Sequence, residues 1–186
     1  SHHSYVDGIN QNTLLHDTRI DRVLLSFHYW YFGEDIMASG KSVFGQERKF
    51  MNHLMLIDYM MKDHVTKKVV ECRKLKELYN TLLVYPTIGT FLAYQYAIDI
   101  NYSELVNFDE MEFVVAGPGA KAGIRKCFSN PEVYSEEYII RYMCEHQKAE
   151  FKRLGLDFVT LGGRDLQLID CQNIFCETDK YSRVKY

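Results

Sequence analysis

The chain has 186 residues, 47% of them hydrophobic and 25% charged, with a formal net charge of −3. That composition excludes disordered, collagenous and low-complexity chains and supplies core for one globular domain, expected to take in residues 1–186. No run approaches the ~18 consecutive apolar residues of a membrane span, and no basic field covers the whole chain, so phosphate binding has to be local.

Ser1-His2-His3 looks like the remnant of an affinity tag and is set aside. From there the elements are predicted in chain order. Leu14, Ile20, Val23, Leu24, Phe27, Tyr31 and Ile36 recur at helical spacing and imply one amphipathic helix or two short ones. Phe50, Leu54, Leu56, Ile57, Met60 and Met61 do the same. Val69, Val70, Leu75, Leu78, Leu82 and Leu83 follow, with Lys67, Lys68, Lys74 and Lys76 on the polar side. Gly89 to Tyr102 reads as a buried helix. Glu112-Phe113-Val114-Val115-Ala116 is the one plausible strand. Helices are expected over 119–128, 136–153 and Leu166 to Cys176. The fold class is all-α.

The five cysteines are odd in number and scattered, with no secretory signal, which points to free thiols in a reducing compartment: cytoplasm, or nucleus in a eukaryote. Cys171 and Cys176 are spaced too widely for the usual zinc pair, and no HExxH or serine-triad pattern occurs, so no metal or cofactor is expected. Ser39-Gly40-Lys41-Ser42 fails as a nucleotide loop because Asp35 stands where the first glycine belongs.

Three segments can carry chemistry. The first is Tyr85-Pro86-Thr87-Ile88-Gly89-Thr90-Phe91-Leu92-Ala93, a turn, an apolar plug, a glycine and a helix start. It resembles the hairpin of helix–hairpin–helix proteins over residues 85–93, with Thr87 in place of the first glycine. There the second glycine lets the backbone approach a DNA phosphate, which the helix amino end then holds. Read alone, the turn fits a phosphate grip or a packing turn. In the DNA-glycosylase branch of that superfamily the slot at Phe91 holds lysine in strand-cleaving enzymes, and an aspartate follows eighteen residues on. Here that position is Asp109, at an expected helix entrance. A carboxylate beside the sugar stabilises an oxocarbenium-like transition state and can activate water, while Phe91 offers no amine for a Schiff base. The reading is a monofunctional glycosylase acting on a flipped base.

The second segment, Gly117-Pro118-Gly119-Ala120-Lys121-Ala122-Gly123-Ile124-Arg125-Lys126, opens a helix with free N–H groups near three cations. It fits a phosphate-binding terminus or a solvated face. In the third, Asp170, Asn173 and Glu177 share one helix face, which suits base-edge contacts or plain solvation.

Together these stretches are similar to the α-glutamyl/putrescinyl-thymine pyrophosphorylase family and the related helical domain of 5-hydroxymethyldeoxyuridine DNA kinases. The likeness is carried by Tyr85 through Gln95, Asp99 through Ser103, Phe113 through Ala120, Gly123 through Phe128 and Asp170 through Arg183, with Arg19, Asp21, Arg22 and Val23 resembling the N-terminal signature. The family's tryptophan- and proline-containing leading segment is not found ahead of Arg19, which leaves a later start or an unrepresented part as two readings. The resemblance implies a helix–hairpin–helix glycosylase-like fold and a hydroxymethylated, glucosylated or hypermodified pyrimidine in DNA as substrate, with excision in phage defence as one role. It makes Asp109 the catalytic candidate and Phe91, Tyr94, Gln95, Asp99, Asp170, Gln172, Asn173 and Asp179 the base pocket. DNA would be held by Thr87, Gly89, Thr90, Gly117, Gly119, Lys121, Arg125, Lys126, Lys180 and Arg183. The alternatives are a base-hypermodification enzyme, or a non-catalytic DNA-binding module that partners a DNA-base kinase or transferase. No membrane role is implied.

Overall fold

The computed structural model describes residues 41–159 and 162–185, and these form helices and loops with no β-strand among them. The helix expected over Leu14 to Ile36, the Arg19–Val23 signature and Ser39-Gly40 of the Ser39–Ser42 stretch lie outside the described residues. Two compact units divide after Lys68.

The first unit contains α1 (Lys41–Phe44) and α2 (Lys49–Lys62). The inner face of α2 is Asn52, His53, Leu56 and Met60, one turn apart. Phe50 and Leu54, expected on the apolar side, are instead exposed. Asn52 takes the inner position because its amide closes a reciprocal pair with the Gln46 backbone, accepting from the N–H at 3.0 Å and donating to the carbonyl at 2.9 Å. Both polar ends are thereby satisfied, so an amide can replace a leucine there.

The unit boundary falls within α3 (Val65–Glu71). The second unit holds α4 (Leu75–Leu83), α5 (Thr90–Asn101), α6 (Pro118–Cys127), a 3-10 turn (Pro131–Val133), α7 (Glu136–Arg153) and α8 (Leu168–Lys185). The continuous lysine-flanked run expected up to Leu83 is broken at Cys72–Lys74, where the Glu77 carboxylate accepts the Arg73 N–H at 2.7 Å and starts α4.

Helices α4 and α5 pack as a hairpin. Leu75, Leu78 and Leu82 of α4 and Leu92, Ala93, Ala97 and Ile100 of α5 are all buried, as is Ile88 in the bend. Thr87 stands in that bend at φ +69°, where a glycine would be unstrained. The backbone thus keeps the glycine conformation without the glycine. Thr87→Gly is expected to raise stability by about 1 kcal/mol, the steric cost of a branched side chain at positive φ less the entropy glycine adds to the unfolded chain. Urea unfolding checks it; a loss of stability would count against strain at this position.

Helices α6 and α8 lie in contact, and α7 packs on α8. Ser135 caps α7 by accepting the Tyr138 N–H at 3.1 Å, and Glu136 and Glu137 fill its first turn, so it starts and ends where the pattern places it. Helix α8 runs nine residues beyond the expected Cys176 end, its polar tail held by Lys180–Glu177 and Arg183–Asp179 pairs at helical spacing.

The expected strand over 112–116 is a loop. Its backbone finds side chains rather than a partner strand: Arg141 donates to the carbonyls of Met111 and Glu112 at 3.0 and 3.2 Å, and Glu137 accepts the Ala116 N–H at 3.3 Å. Phe113 meets Tyr79 and Tyr94 edge-on, with Lys76 over its ring. The apolar run here reflects insertion between helices, not pairing.

Candidate functional site

Two helix amino ends meet in the second unit. Gly89 caps α5 and Gly117 caps α6, both extended and neither with a side-chain acceptor. A Cβ on Gly117 would strike the Phe91 ring, with Cδ2 and Cζ at 2.8 Å. The Phe91 ring therefore lies against the Gly117 backbone and sets the two amino ends side by side. A Cβ on Gly89 would meet nothing within 4 Å, and Gly89 and Thr90 are exposed. The open end of α5 leaves its first N–H groups to solvent or a ligand. The partial positive charge of that end suits an anion.

The nominated cations separate into two groups. Lys121 and Arg125, one turn apart on α6, make no ion pair among the described residues. Lys126 is committed inward: its ammonium meets Asp179 Oδ1 and Ser182 Oγ, each at 2.7 Å. Arg183 Nε reaches Asp179 Oδ2 at 3.1 Å, and Lys180 pairs with Glu177 at 2.6 Å. Asp179 is buried, and its bond from Lys126, then Arg183, holds its carboxyl below the usual carboxylate range. Lys126, through Asp179 and Ser182, thus ties α6 to α8, and Arg183 supports Asp179 from within α8.

The glycines divide as well. A Cβ on Gly119 would lie 2.5 Å from Cys176 Sγ, and one on Gly123 would run into the Phe175 carbonyl. Both glycines serve the contact of α6 with α8. Gln172, buried on α8, accepts the Gly117 N–H at 3.3 Å and donates to Asn173 at 2.6 Å, so it supports the cap from behind.

Asp170 sits at the start of α8, bonded to Arg164 at 2.6 Å and to the Gln167 N–H at 2.8 Å. Asp170, Asn173 and Glu177 share a face, as the spacing implies, and with Ile174 and Tyr181 they line a groove of about 500 Å³.

Inside α5, three polar atoms are buried without a hydrogen-bond partner: Tyr94 Oη, Gln95 Nε2 and Asp99 Oδ2. Burial pushes the Asp99 carboxyl up to about 8 and raises the neighbouring Tyr96 hydroxyl to about 12. The Tyr94 hydroxyl is also raised, by burial first and then by Tyr102, Glu110 and Asp170. Unsatisfied buried groups are costly, so Gln95 and Asp99, one turn apart on α5, mark a place where a ligand can supply partners; Tyr94 lies on another side of the helix, toward Tyr102 and Glu110.

Asp109 is elsewhere in character. It is exposed, no helix begins there, and its Oδ1 accepts the Met111 N–H at 2.9 Å to close a turn. The carboxylate is used as a backbone acceptor at the surface, not as the wall of a base pocket. Its neighbour Glu110 is the more confined acid: it accepts from the Tyr102 hydroxyl at 3.1 Å, and burial raises its carboxyl. No motif marks Glu110 or Arg164 in the sequence, since each is defined by a partner several residues away, Tyr102 and Asp170 respectively. Among the described residues no cluster is placed to hold a metal ion, and no helix is long and apolar enough to cross a membrane.

Comparison with known proteins bears on these residues as a set. Residues 20–186 match the family described as 5-hmdU DNA kinase, helical domain. The chain is 25% identical over 162 residues to the 5-hmdU DNA kinase of Bacillus phage SP10, an alignment covering 81% of this chain and 25% of that protein. The chain thus spans about a quarter of the length of the curated relative it matches. No solved structure matches it. The expectation of a DNA glycosylase is overturned: the relative is a kinase, hence a transferase, and the matched part is the helical domain. The exposed, turn-forming Asp109 agrees with that correction.

Proposed function

Because this chain belongs to the family of 5-hmdU DNA kinase helical domains, we propose that it is a non-catalytic module that engages DNA carrying hydroxymethylated pyrimidines for a partner kinase. The observation that carries the reading is the Phe91 ring seated on Gly117, which sets the open amino end of α5 beside the start of α6. A phosphate at that point would meet the free first-turn N–H donors of α5, with Lys121 and Arg125 of α6 supplying unpaired positive charge. Lys126, Lys180 and Arg183 contribute less, since each already holds a carboxylate. Further along α5, Gln95 and Asp99 stand one turn apart with an unused amide donor and an unused carboxyl oxygen. That pair matches the acceptor and donor of a pyrimidine imide edge, so these two residues are the base-recognition candidates.

The test is the salt dependence of DNA binding. The double substitution Lys121→Gln/Arg125→Gln is expected to weaken binding about tenfold at low salt and to flatten the slope of log K against log salt by about 2, one per phosphate contact removed. An unchanged slope would remove α6 from the DNA interface.

A further inference from the structure

All five cysteines are free thiols, and two of them share one place in the core. Cys144 of α7 and Cys171 of α8 are 3% and 5% exposed, and the Cys171 thiol is within hydrogen-bonding reach of the Cys144 sulfur. The Cys144 thiol in turn donates to the Leu166 carbonyl at 3.0 Å and lies 3.7 Å from Met111 Sδ. The other three stand apart: Cys72 lies 3.6 Å from the Thr81 hydroxyl, Cys176 is turned to Gly119, and Cys127 is exposed. The amino-end site uses neither sulfur of the buried pair.

The backbone around that pair is fixed by side-chain bonds. Cys171 immediately precedes Gln172, whose amide accepts the Gly117 N–H. The Cys144 carbonyl accepts from Gln147, which also clasps Leu166 through its N–H and its carbonyl at 2.8 and 3.0 Å. One turn earlier on α7, Arg141 holds the Met111 and Glu112 carbonyls. Thiols in contact on such a frame need only a small approach to reach the sulfur–sulfur bond length of about 2.05 Å.

We propose that Cys144 and Cys171 are a dithiol that closes to a disulfide under hydrogen peroxide and latches α7 to α8 behind the Gly117 cap. The Cys144 sulfur attacks one peroxide oxygen, the O–O bond breaks, and a sulfenic acid and one water result. The Cys171 sulfur then attacks the sulfenyl sulfur and expels a second water. Two thiols lose two electrons and two protons, and one peroxide becomes two waters. Cys144 reacts first because the bond from Cys171 and the charge of Arg141 both favour its thiolate. Burial opposes both thiolates and pushes Cys171 up to about 12, so the reaction is slow and answers to sustained oxidation rather than a brief pulse. The closed loop restricts the unfolded chain, so the latch stabilises the fold. None of this depends on the DNA-binding reading.

Peptide mapping without reduction, on the full chain after prolonged exposure to peroxide, tests it. The expected result is a linked Cys144–Cys171 peptide, a mass lower by about 2 Da, and a Tm raised by about 5 °C or more, all reversed by dithiothreitol. Cys127→Ser removes the exposed thiol that can cross-link two copies, and is expected to leave these results unchanged. If Cys127 or Met111 takes up oxygen in the parent while Cys144 and Cys171 stay thiols, the proposal falls. A link that forms but lowers Tm overturns the latch as well, since the sulfurs would then have bonded by pulling the helices out of place.

Discussion

Asp99→Asn is expected to make the protein more stable than its parent by on the order of 4 kcal/mol at pH 8, and to leave stability nearly unchanged at pH 4. The carboxyl is mostly buried, its Oδ2 has no hydrogen-bond partner, and burial raises its folded-state pKa from 3.8 to about 8. The sign follows from proton counting. Between pH 4 and 8 the folded protein keeps a proton on Asp99 that the unfolded chain has released, so stability falls as pH rises through that window. Below it both states are protonated; above it both are ionised and the full cost of a buried charge is carried. Asparagine mimics the neutral carboxyl in shape and has no charge to bury. Urea unfolding of both proteins at pH 4.5, 6 and 8.5 should show curves that meet at the acid end and diverge toward the alkaline end. Parallel curves would mean that Asp99 ionises freely in the folded state. A group this costly to ionise is also one whose energy a ligand can change most: a donor presented to Oδ2 would relieve the penalty, which is why Asp99 and Gln95 are favoured over the satisfied Gln172 and Asp179 for contact with a base.

Much of the architecture was readable from the pattern of residues, and the exceptions have physical causes. Helix α7 matched because its start carries a serine cap and two acidic residues, and its end carries Lys152 and Arg153. These are local signals, confined to one turn at each end. The Phe113–Ala116 apolar run misled because a short continuous run reports two-sided burial, and a loop threaded between helices produces it as well as a strand does. Helix α8 was cut short because its tail is polar all round and is stabilised by side-chain pairs rather than an apolar stripe. At the candidate site the glycines were visible but their roles were not. Gly89 faces open space, Gly117 touches Phe91, and Gly119 and Gly123 face α8 more than fifty residues away in the chain. The same distance hid the partnership of Lys126 and Asp179, which converts two nominated contact residues into a strut. Asp109 shows the opposite case: a family spacing selected a carboxylate that the fold uses to close an exposed turn.

Gly123→Ala tests the division of labour among those glycines most severely. In α6, Gly119 and Gly123 lie one turn apart on the face turned to α8, and their missing side chains let the two helices approach to backbone contact. A methyl group at 123 would overlap the carbonyl oxygen of Phe175 and crowd its carbonyl carbon, 2.8 Å away. That obstacle is backbone inside a helix and cannot rotate aside, so the helices must part. Parting them also loosens the Gln172 bond to Gly117 and the Lys126–Asp179 pair, both of which cross the same interface. The expected loss is about 3 kcal/mol, the upper part of the range for overpacking a core, even though alanine is the better helix former by about 1 kcal/mol. For a chain of this size that lowers Tm by roughly 6–12 °C. Gly89→Ala is the internal reference, because its Cβ enters open space at φ −80° and should cost little stability. If Gly89→Ala weakens DNA binding while Tm holds, and Gly123→Ala lowers Tm, one glycine keeps a path clear for a phosphate and the other keeps two helices together. Equal, small effects of both on stability would show that α6 and α8 are not in backbone contact, and the support argued for the Gly117 cap would go with it.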